Sequence, residues 1–209
     1  ISALDADYEG AEELRLLALK WCPKYGNDID EVDLLGVDLV EKFMKIVESY
    51  RSTRDGGYRV GLYTVEDHAI MGTVTGATPD GRLKGTALSN SLSPVQGRDV
   101  SGPTALMNTV NKFDFSKATN GMVLDIKFTP TFLEKESHAA AVKNLIDTYF
   151  SRGGMELQIS VVSRETLLDA QKNPQEYQDL VVRVSGFSAY FTSLRKVTQD
   201  EIISRTEVS

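Results

Sequence analysis

The sequence predicts an α/β fold in which helices alternate with the strands of a buried sheet. After residue 103, helical patterns twice alternate with strand patterns, and this order is typical of α/β proteins. Within Met122–Phe128, every second residue is apolar, which indicates a strand. The 209 residues are 41% hydrophobic and 25% charged, as in ordinary globular proteins. No repeat or linker is visible, so we treat residues 1–209 as one structural unit.

Two helices are predicted in the first fifty residues. The first covers Glu12–Trp21, because leucines recur along it and Pro23 ends it. The second begins at Asp28 or Asp30, either of which can cap it. It runs to about Tyr50, since its apolar residues recur at three- and four-residue spacing.

The stretch from residue 51 to 103 is predicted to contain one strand and otherwise to be irregular. Tyr58–Val65 has strand character. Glycines then recur through residues 66–103, and the run Ala77–Arg82 forms a turn because Pro79 fixes φ and Gly81 accepts a positive φ. A long irregular stretch within a compact domain is commonly functional or flexible.

The next predicted elements are a helix, a strand and a second helix. Pro103 suits a first helical position and begins a helix to about Phe113. In the strand Met122–Phe128, Asp125 and Lys127 face away from the apolar side. A helix over residues 134–150 follows and ends at two glycines.

The last predicted elements again alternate between strand and helix. Glu156–Val162 is a strand, and Ser163 caps a helix that ends before Pro174. Residues 180–184 form a short strand, and residues 185–190 form a loop. Thr198 and Glu201 have the spacing of a capping box, which predicts a final helix through about residue 205.

Charge and composition exclude several classes of function. The net charge is −7 and the pI is near 5.0, which argues against a nucleic-acid partner. No apolar run reaches the roughly 18 residues of a membrane helix. The single cysteine, Cys22, allows no internal disulfide and favours a reducing, cytoplasmic location. His68 and His138 lack metal-ligand spacing, so no metal site is predicted. Arg82 and Arg98 either bind an anionic group or form surface salt bridges, the commoner fate.

One glycine lies in a distinctive context. Gly186 follows a predicted strand, and composition alone would make it a turn residue. The segment Arg183–Phe187, followed by Ser188–Phe191, resembles the signature of the glycyl radical enzymes, which include pyruvate formate-lyase and the diol dehydratases. That family most often has tyrosine where this sequence has Phe187. Other segments resemble the dehydratase-like members in the expected order: residues 23–28, 77–82, 93–99, 169–171 and 199–206.

The resemblance implies a fold and a set of site residues. The chain would be the C-terminal part of a ten-stranded α/β barrel, with residues 1–179 forming the later part of the barrel and residues 180–209 the radical loop and last helix. Gly186 would carry the radical, because a backbone carbon radical must flatten and a Cβ would crowd it. Arg183, Tyr190 and Arg205 would support it. Arg205 would position the loop or the substrate, although a solvated arginine at a helix end is an equal alternative.

The resemblance also implies partners. A separate activase with an iron–sulfur cluster and S-adenosylmethionine would form the radical, and this chain would bind no cofactor or metal. The radical would pass to an upstream cysteine. Cys22 does not match that cysteine, and a lone cysteine is more often a small buried apolar residue. The start at Ile1 favours a missing upstream part. The complete enzyme would be a homodimer acting anaerobically on a small organic substrate, by dehydration, cleavage or decarboxylation.

Two other hypotheses stay open at this point. In the first hypothesis, the chain would be a stand-alone spare part that repairs an oxygen-damaged glycyl radical enzyme. In the other, it would be a plain α/β structural domain that has lost its radical.

Overall fold

The computed structural model describes residues 1–205 and 207–208, and its elements confirm the predicted α/β class. The helices are α1 Ser2–Asp5, α2 Glu12–Trp21, α3 Asp30–Glu48, α4 Asp67–Val74, α5 Pro103–Val110, α6 Pro130–Leu133, α7 Glu136–Ser151, α8 Arg164–Lys172 and α9 Lys196–Ser204. The strands are β1 Val123–Phe128, β2 Glu156–Val161, β3 Val181–Arg183, β4 Ser188–Tyr190 and β5 Glu207–Val208. Short 3₁₀ turns lie at Phe115–Lys117, Pro174–Glu176 and Phe191–Ser193.

The central sheet is parallel and has the order β2–β1–β5. Strand β1 pairs along its full length with β2, so that Asp125 lies opposite Gln158 and Lys127 opposite Ser160. The alternate residues of β1, including Leu124 and Phe128, belong to the main hydrophobic core. Both faces of a parallel sheet are normally covered. Here the covered face opposite the core is polar, and it is this face that carries the candidate site.

Two hydrophobic clusters of buried side chains stabilise the described part of the chain. The larger contains β1 and the helices packed on it. The smaller joins α8, the hairpin β3–β4 and α9, with Leu167, Val182, Phe191 and Ile202 among its buried residues. This smaller cluster holds the hairpin between α8 and α9, and β3 also packs against β2 of the central sheet.

The prediction of a strand over Tyr58–Val65 is wrong. Only Leu62 bridges to the sheet, through one isolated pairing with Met122. Val65 has φ +53°, a left-handed conformation that strand geometry does not allow. The chain then turns directly into α4, inside the stretch predicted to be irregular. Val60 is buried and Leu62 packs against the main core, but the pairing does not extend beyond this one bridge.

Two of the three predicted N-caps are wrong. Ser163 caps α8 as predicted, because its hydroxyl accepts from the amide of Thr166 at 3.1 Å. Neither aspartate caps α3, where Ile29 takes the cap position without a side-chain bond. The carboxylate of Asp28 instead contacts Lys112 at 3.0 Å, so tertiary pairing displaces local capping.

The predicted capping box of the last helix is also wrong. Helix α9 begins at Lys196, before Thr198. The Thr198 hydroxyl donates to Glu66 at 2.8 Å, and the Glu201 carboxylate turns to buried partners described below. The predicted loop over residues 185–190 contains strand β4, while Thr206 at the end of the proposed motif lies outside the described residues. None of the helices in residues 1–205 is long and apolar enough to cross a membrane.

Candidate functional site

Gly186 lies at the tip of the hairpin formed by β3 and β4. The strands pair antiparallel, and the amide of Val184 donates to the carbonyl of Phe187 at 2.9 Å to close the tip. Gly186 has φ +78°, which glycine adopts without steric cost. A Cβ placed on it would meet only Oε1 of Glu156, at 3.9 Å. The space around the α-carbon is therefore open, and the backbone angle alone restricts larger residues.

Gln158, on strand β2 of the central sheet, holds the hairpin tip through two hydrogen bonds. Its Oε1 accepts from the Gly186 amide at 2.7 Å, and its Nε2 donates to the carbonyl of Val184 at 3.4 Å. The side chain is only 3% exposed. It reaches the tip because it lies on the polar face of β2, opposite Asp125 in the sheet register. The sequence pattern placed Gln158 in a strand but gave no signal for this contact.

Among the predicted supporting residues, Arg205 is the one whose side chain reaches the tip. It is 6% exposed and donates to the carbonyls of Val184 at 2.6 Å and Arg183 at 3.2 Å. The Arg183 side chain donates to the Ser188 hydroxyl at 3.1 Å, within the hairpin itself. Tyr190 is 55% exposed. The structure thus separates these residues: one contacts the tip from outside the hairpin, and two belong to the hairpin.

A cavity of about 340 Å³ lies directly beside Gly186. Its lining includes Tyr63, Asn120, Glu156 and Phe187. The Asn120 amide donates to the Tyr63 hydroxyl at 3.3 Å. The cavity therefore offers a phenol, an amide and a carboxylate next to the glycine α-carbon. The sequence did not link Tyr63, Asn120 and Glu156 to Gly186, because they come from loops and a strand end that meet only in the folded chain.

A second cavity, of about 470 Å³, lies beyond Arg205 on the same polar side of the sheet. Asp125, Lys127 and Glu207 line it together with Arg205. Burial raises the pKa of Asp125 to about 6, and neither of its carboxylate oxygens has a hydrogen-bond partner among the described residues. Lys127 lies 2.9 Å from Glu207, and burial lowers the pKa of this lysine.

The other residues singled out in the sequence lie elsewhere. Cys22 is exposed at the end of α2, not buried, and it does not line either cavity. His138 stacks on Phe132 with ring centroids 4.2 Å apart. Arg82 is buried and not at the surface, and its guanidinium donates to backbone carbonyls, including that of Thr86 at 2.7 Å. Residues 1–205 and 207–208 contain no group of three or more His, Cys, Asp or Glu side chains that could hold a metal ion.

Comparison with known proteins gives consistent matches over the whole chain. Residues 88–192 match the glycine radical family model, and residues 1–72 match the pyruvate formate lyase-like model. Trans-4-hydroxy-L-proline dehydratase of Clostridioides difficile is 39% identical over 99% of this chain and 26% of its own length. Formate acetyltransferase 1 of Escherichia coli is 37% identical over 88% of this chain and 25% of its own length.

Solved structures show the same relationship. The B12-independent glycerol dehydratase of Clostridium butyricum has a TM-score of 0.94 and 43% identity over 99% of this chain and 26% of its own. The hydroxyproline dehydratase of Clostridioides difficile with bound trans-4-hydroxy-L-proline also has a TM-score of 0.94, with 38% identity over 99% of this chain and 26% of its own. The chain therefore spans about a quarter of the length of the relatives it matches.

Proposed function

The chain belongs to the glycyl radical enzymes, and from that premise we propose that it stores an unpaired electron on the α-carbon of Gly186. Its fold is that of the C-terminal part of the family's α/β barrel, as predicted. The observation that carries the proposal is the position of Gly186 at a hairpin tip. Its α-carbon is open, its amide donates to Gln158, and it borders a cavity whose lining includes Tyr63 and Glu156.

The chemistry explains why this position is glycine. Removal of one α-hydrogen leaves a carbon that flattens and shares its spin with the flanking amide and carbonyl. Glycyl radical enzymes obtain this radical after translation from a separate activase. We propose that the activase here is an iron–sulfur enzyme that uses S-adenosylmethionine, since it must remove a hydrogen atom rather than a proton.

The stored radical would then act through sulfur. The Gly186 radical takes the hydrogen atom of a thiol, so that a Cα–H bond forms, an S–H bond breaks and the unpaired electron moves to sulfur. Cys22 is exposed just after α2 and absent from the cavity lining, so we place the thiol in a part of the enzyme outside this sequence. The cavity beside Tyr63 and Glu156 would receive a small polar organic substrate.

We assign the reaction class by relationship. Dehydratases are among both the curated relatives and the solved structures that the chain matches, and a decarboxylase, the indoleacetate decarboxylase of Tractidigestivibacter scatoligenes, is 41% identical over 89% of this chain. We propose that the complete, cytoplasmic and homodimeric enzyme dehydrates or cleaves its substrate under anaerobic conditions. A spare-part role is the alternative. It predicts that this chain alone restores activity to a relative whose glycyl segment oxygen has cleaved.

Electron paramagnetic resonance of the complete enzyme, activated anaerobically by its own activase, tests the proposal. We expect a signal split by one α-hydrogen, and we expect the splitting to narrow when the protein contains α-deuterated glycine. Exposure to air is then expected to cleave the chain between about Ser185 and Phe187, as mass spectrometry would show. An intact mass after air exposure of a radical-bearing sample would exclude Gly186 as the storage site.

A further inference from the structure

We propose that His68 and Glu201 are positioning residues for the hairpin that carries Gly186. They hold the guanidinium of Arg205 in the one orientation that fixes the main chain just before the glycine. This inference deepens the proposed function, because its catalytic consequence rests on radical storage at Gly186.

Arg205 donates its hydrogen bonds to the hairpin through main-chain carbonyls. Nη2 donates to the carbonyl of Val184 at 2.6 Å, and Nη1 donates to that of Arg183 at 3.2 Å. These two residues lead directly into the tip, so their position determines where Gly186 lies. The guanidinium is always charged, and its side chain is nearly inaccessible to solvent. A buried charge of this kind requires a compensating partner.

Glu201 supplies the compensating charge and the orientation. It lies one turn before Arg205, and its two oxygens accept from Nε at 3.2 Å each. Oε2 also accepts from Nη2 at 3.0 Å. This two-pronged pairing fixes the plane of the guanidinium. In this orientation Nη1 and Nη2 also reach the two hairpin carbonyls. Burial acts to raise the pKa of Glu201, but contacts with His68 and Arg205 outweigh it and lower this pKa, so the carboxylate stays charged.

His68 fixes the Glu201 carboxylate from a different part of the chain. Nε2 of its buried ring lies 3.1 Å from Oε1 of Glu201, which is the distance of an ion pair, although the two groups are not aligned as a hydrogen bond. Its Nδ1 lies 3.0 Å from the hydroxyl of Thr64, which in turn donates to Asn90 at 2.8 Å. Gln96 also donates to Oε1 of Glu201, at 3.1 Å. The carboxylate is thus held between α4 and Arg205. A series of buried polar contacts, from His68 through Glu201 to Arg205, connects the body of the protein to the hairpin.

A second contact between the same two helices provides a matched control. Glu66, just before α4, accepts from the Thr198 hydroxyl at 2.8 Å and pairs with Arg195. This contact docks α9 on α4 but does not touch Arg205. Glu66→Gln therefore weakens docking alone, whereas Glu201→Gln keeps the side-chain shape and removes the charge that orients the guanidinium.

Two measurements on the complete enzyme test the proposal. In the radical-free protein, hydrogen–deuterium exchange reports on the hairpin amides at residues 185–188. In the activated protein, turnover is divided by the number of glycyl spins. In Glu201→Gln, we expect the hairpin amides to exchange at least tenfold faster than in the unaltered enzyme. We expect the turnover rate per glycyl spin to be at least tenfold lower. His68→Asn should change both quantities in the same direction, and Glu66→Gln should stay within twofold of the unaltered enzyme.

The outcomes separate this inference from the proposed function. If the unaltered enzyme never carries a glycyl radical, the proposed function fails, while the exchange data still report on positioning. If Glu201→Gln and His68→Asn match Glu66→Gln in exchange and in turnover per spin, the positioning proposal fails. Should Glu201→Gln not fold, His68→Asn decides the question, because it leaves the Glu201–Arg205 pair in place.

Discussion

Replacement of Gly186 by alanine separates radical storage from protein stability. The new methyl group would lie 3.9 Å from Oε1 of Glu156, an ordinary contact, so packing costs almost nothing. The cost comes from the backbone, since φ is +78° and an alanine in the left-handed region loses roughly 1–2 kcal/mol. The hydrogen bond from the residue 186 amide to Gln158 needs no side chain and is expected to persist.

Gly85 offers a control with nearly the same backbone strain. Its φ is +77°, and no atom lies within 4 Å of a Cβ placed on it. We therefore expect Gly85→Ala and Gly186→Ala to lower the free energy of unfolding of the complete protein by similar amounts, about 1–2 kcal/mol each. After anaerobic activation, Gly85→Ala should carry as many spins as the unaltered enzyme, and Gly186→Ala should carry none.

Two results would refute this reasoning. A persistent carbon-centred radical in Gly186→Ala would place the unpaired electron on another residue. A loss of stability several kcal/mol larger than that of Gly85→Ala would show that the glycine is required by packing. The missing radical would then follow from a disturbed fold and would not identify the storage site.

Two further predictions concern buried charges. Lys112 contacts the fully buried Asp33 at 2.8 Å, so Lys112→Ala should destabilise the protein by about 3–5 kcal/mol in denaturant unfolding. Lys143→Ala, which removes an exposed ion pair, should cost less than about 1 kcal/mol, and equal losses would contradict the argument. Asp125 has a pKa raised from 3.8 to about 6, so the folded state binds its proton more tightly, and its contribution to stability falls as pH rises through that window. Asp125→Asn should remove this pH dependence. The free energy of unfolding of the variant, relative to that of the unaltered protein, should therefore rise by about 2–3 kcal/mol between pH 4 and pH 7. A difference in stability that does not change with pH would contradict the raised pKa of Asp125.

The sequence by itself determined the elements whose signals are local. The strands β1 and β2 follow from the alternation of their apolar residues, which pack into the main hydrophobic core. The helix α2 follows from its recurring leucines and from Pro23, although none of its residues is buried. The cap at Ser163 also follows from neighbouring residues, since its hydroxyl bonds an amide three residues later. The glycyl motif around Gly186 and the family itself were identified from short segments in order.

Only the tertiary structure decided which polar groups meet. Periodicity reports that a residue is buried but not what it is buried against, so Gln158 beneath Gly186 and His68 against Glu201 gave no signal in the sequence. For the same reason the alternation in β1 placed Lys127 opposite the apolar side but did not indicate that it is buried there. Capping failed at Thr198 because the competing partner Glu66 is distant in sequence and adjacent in space. A buried polar group bonds whatever the folded chain brings to it, and that depends on the path of the whole backbone.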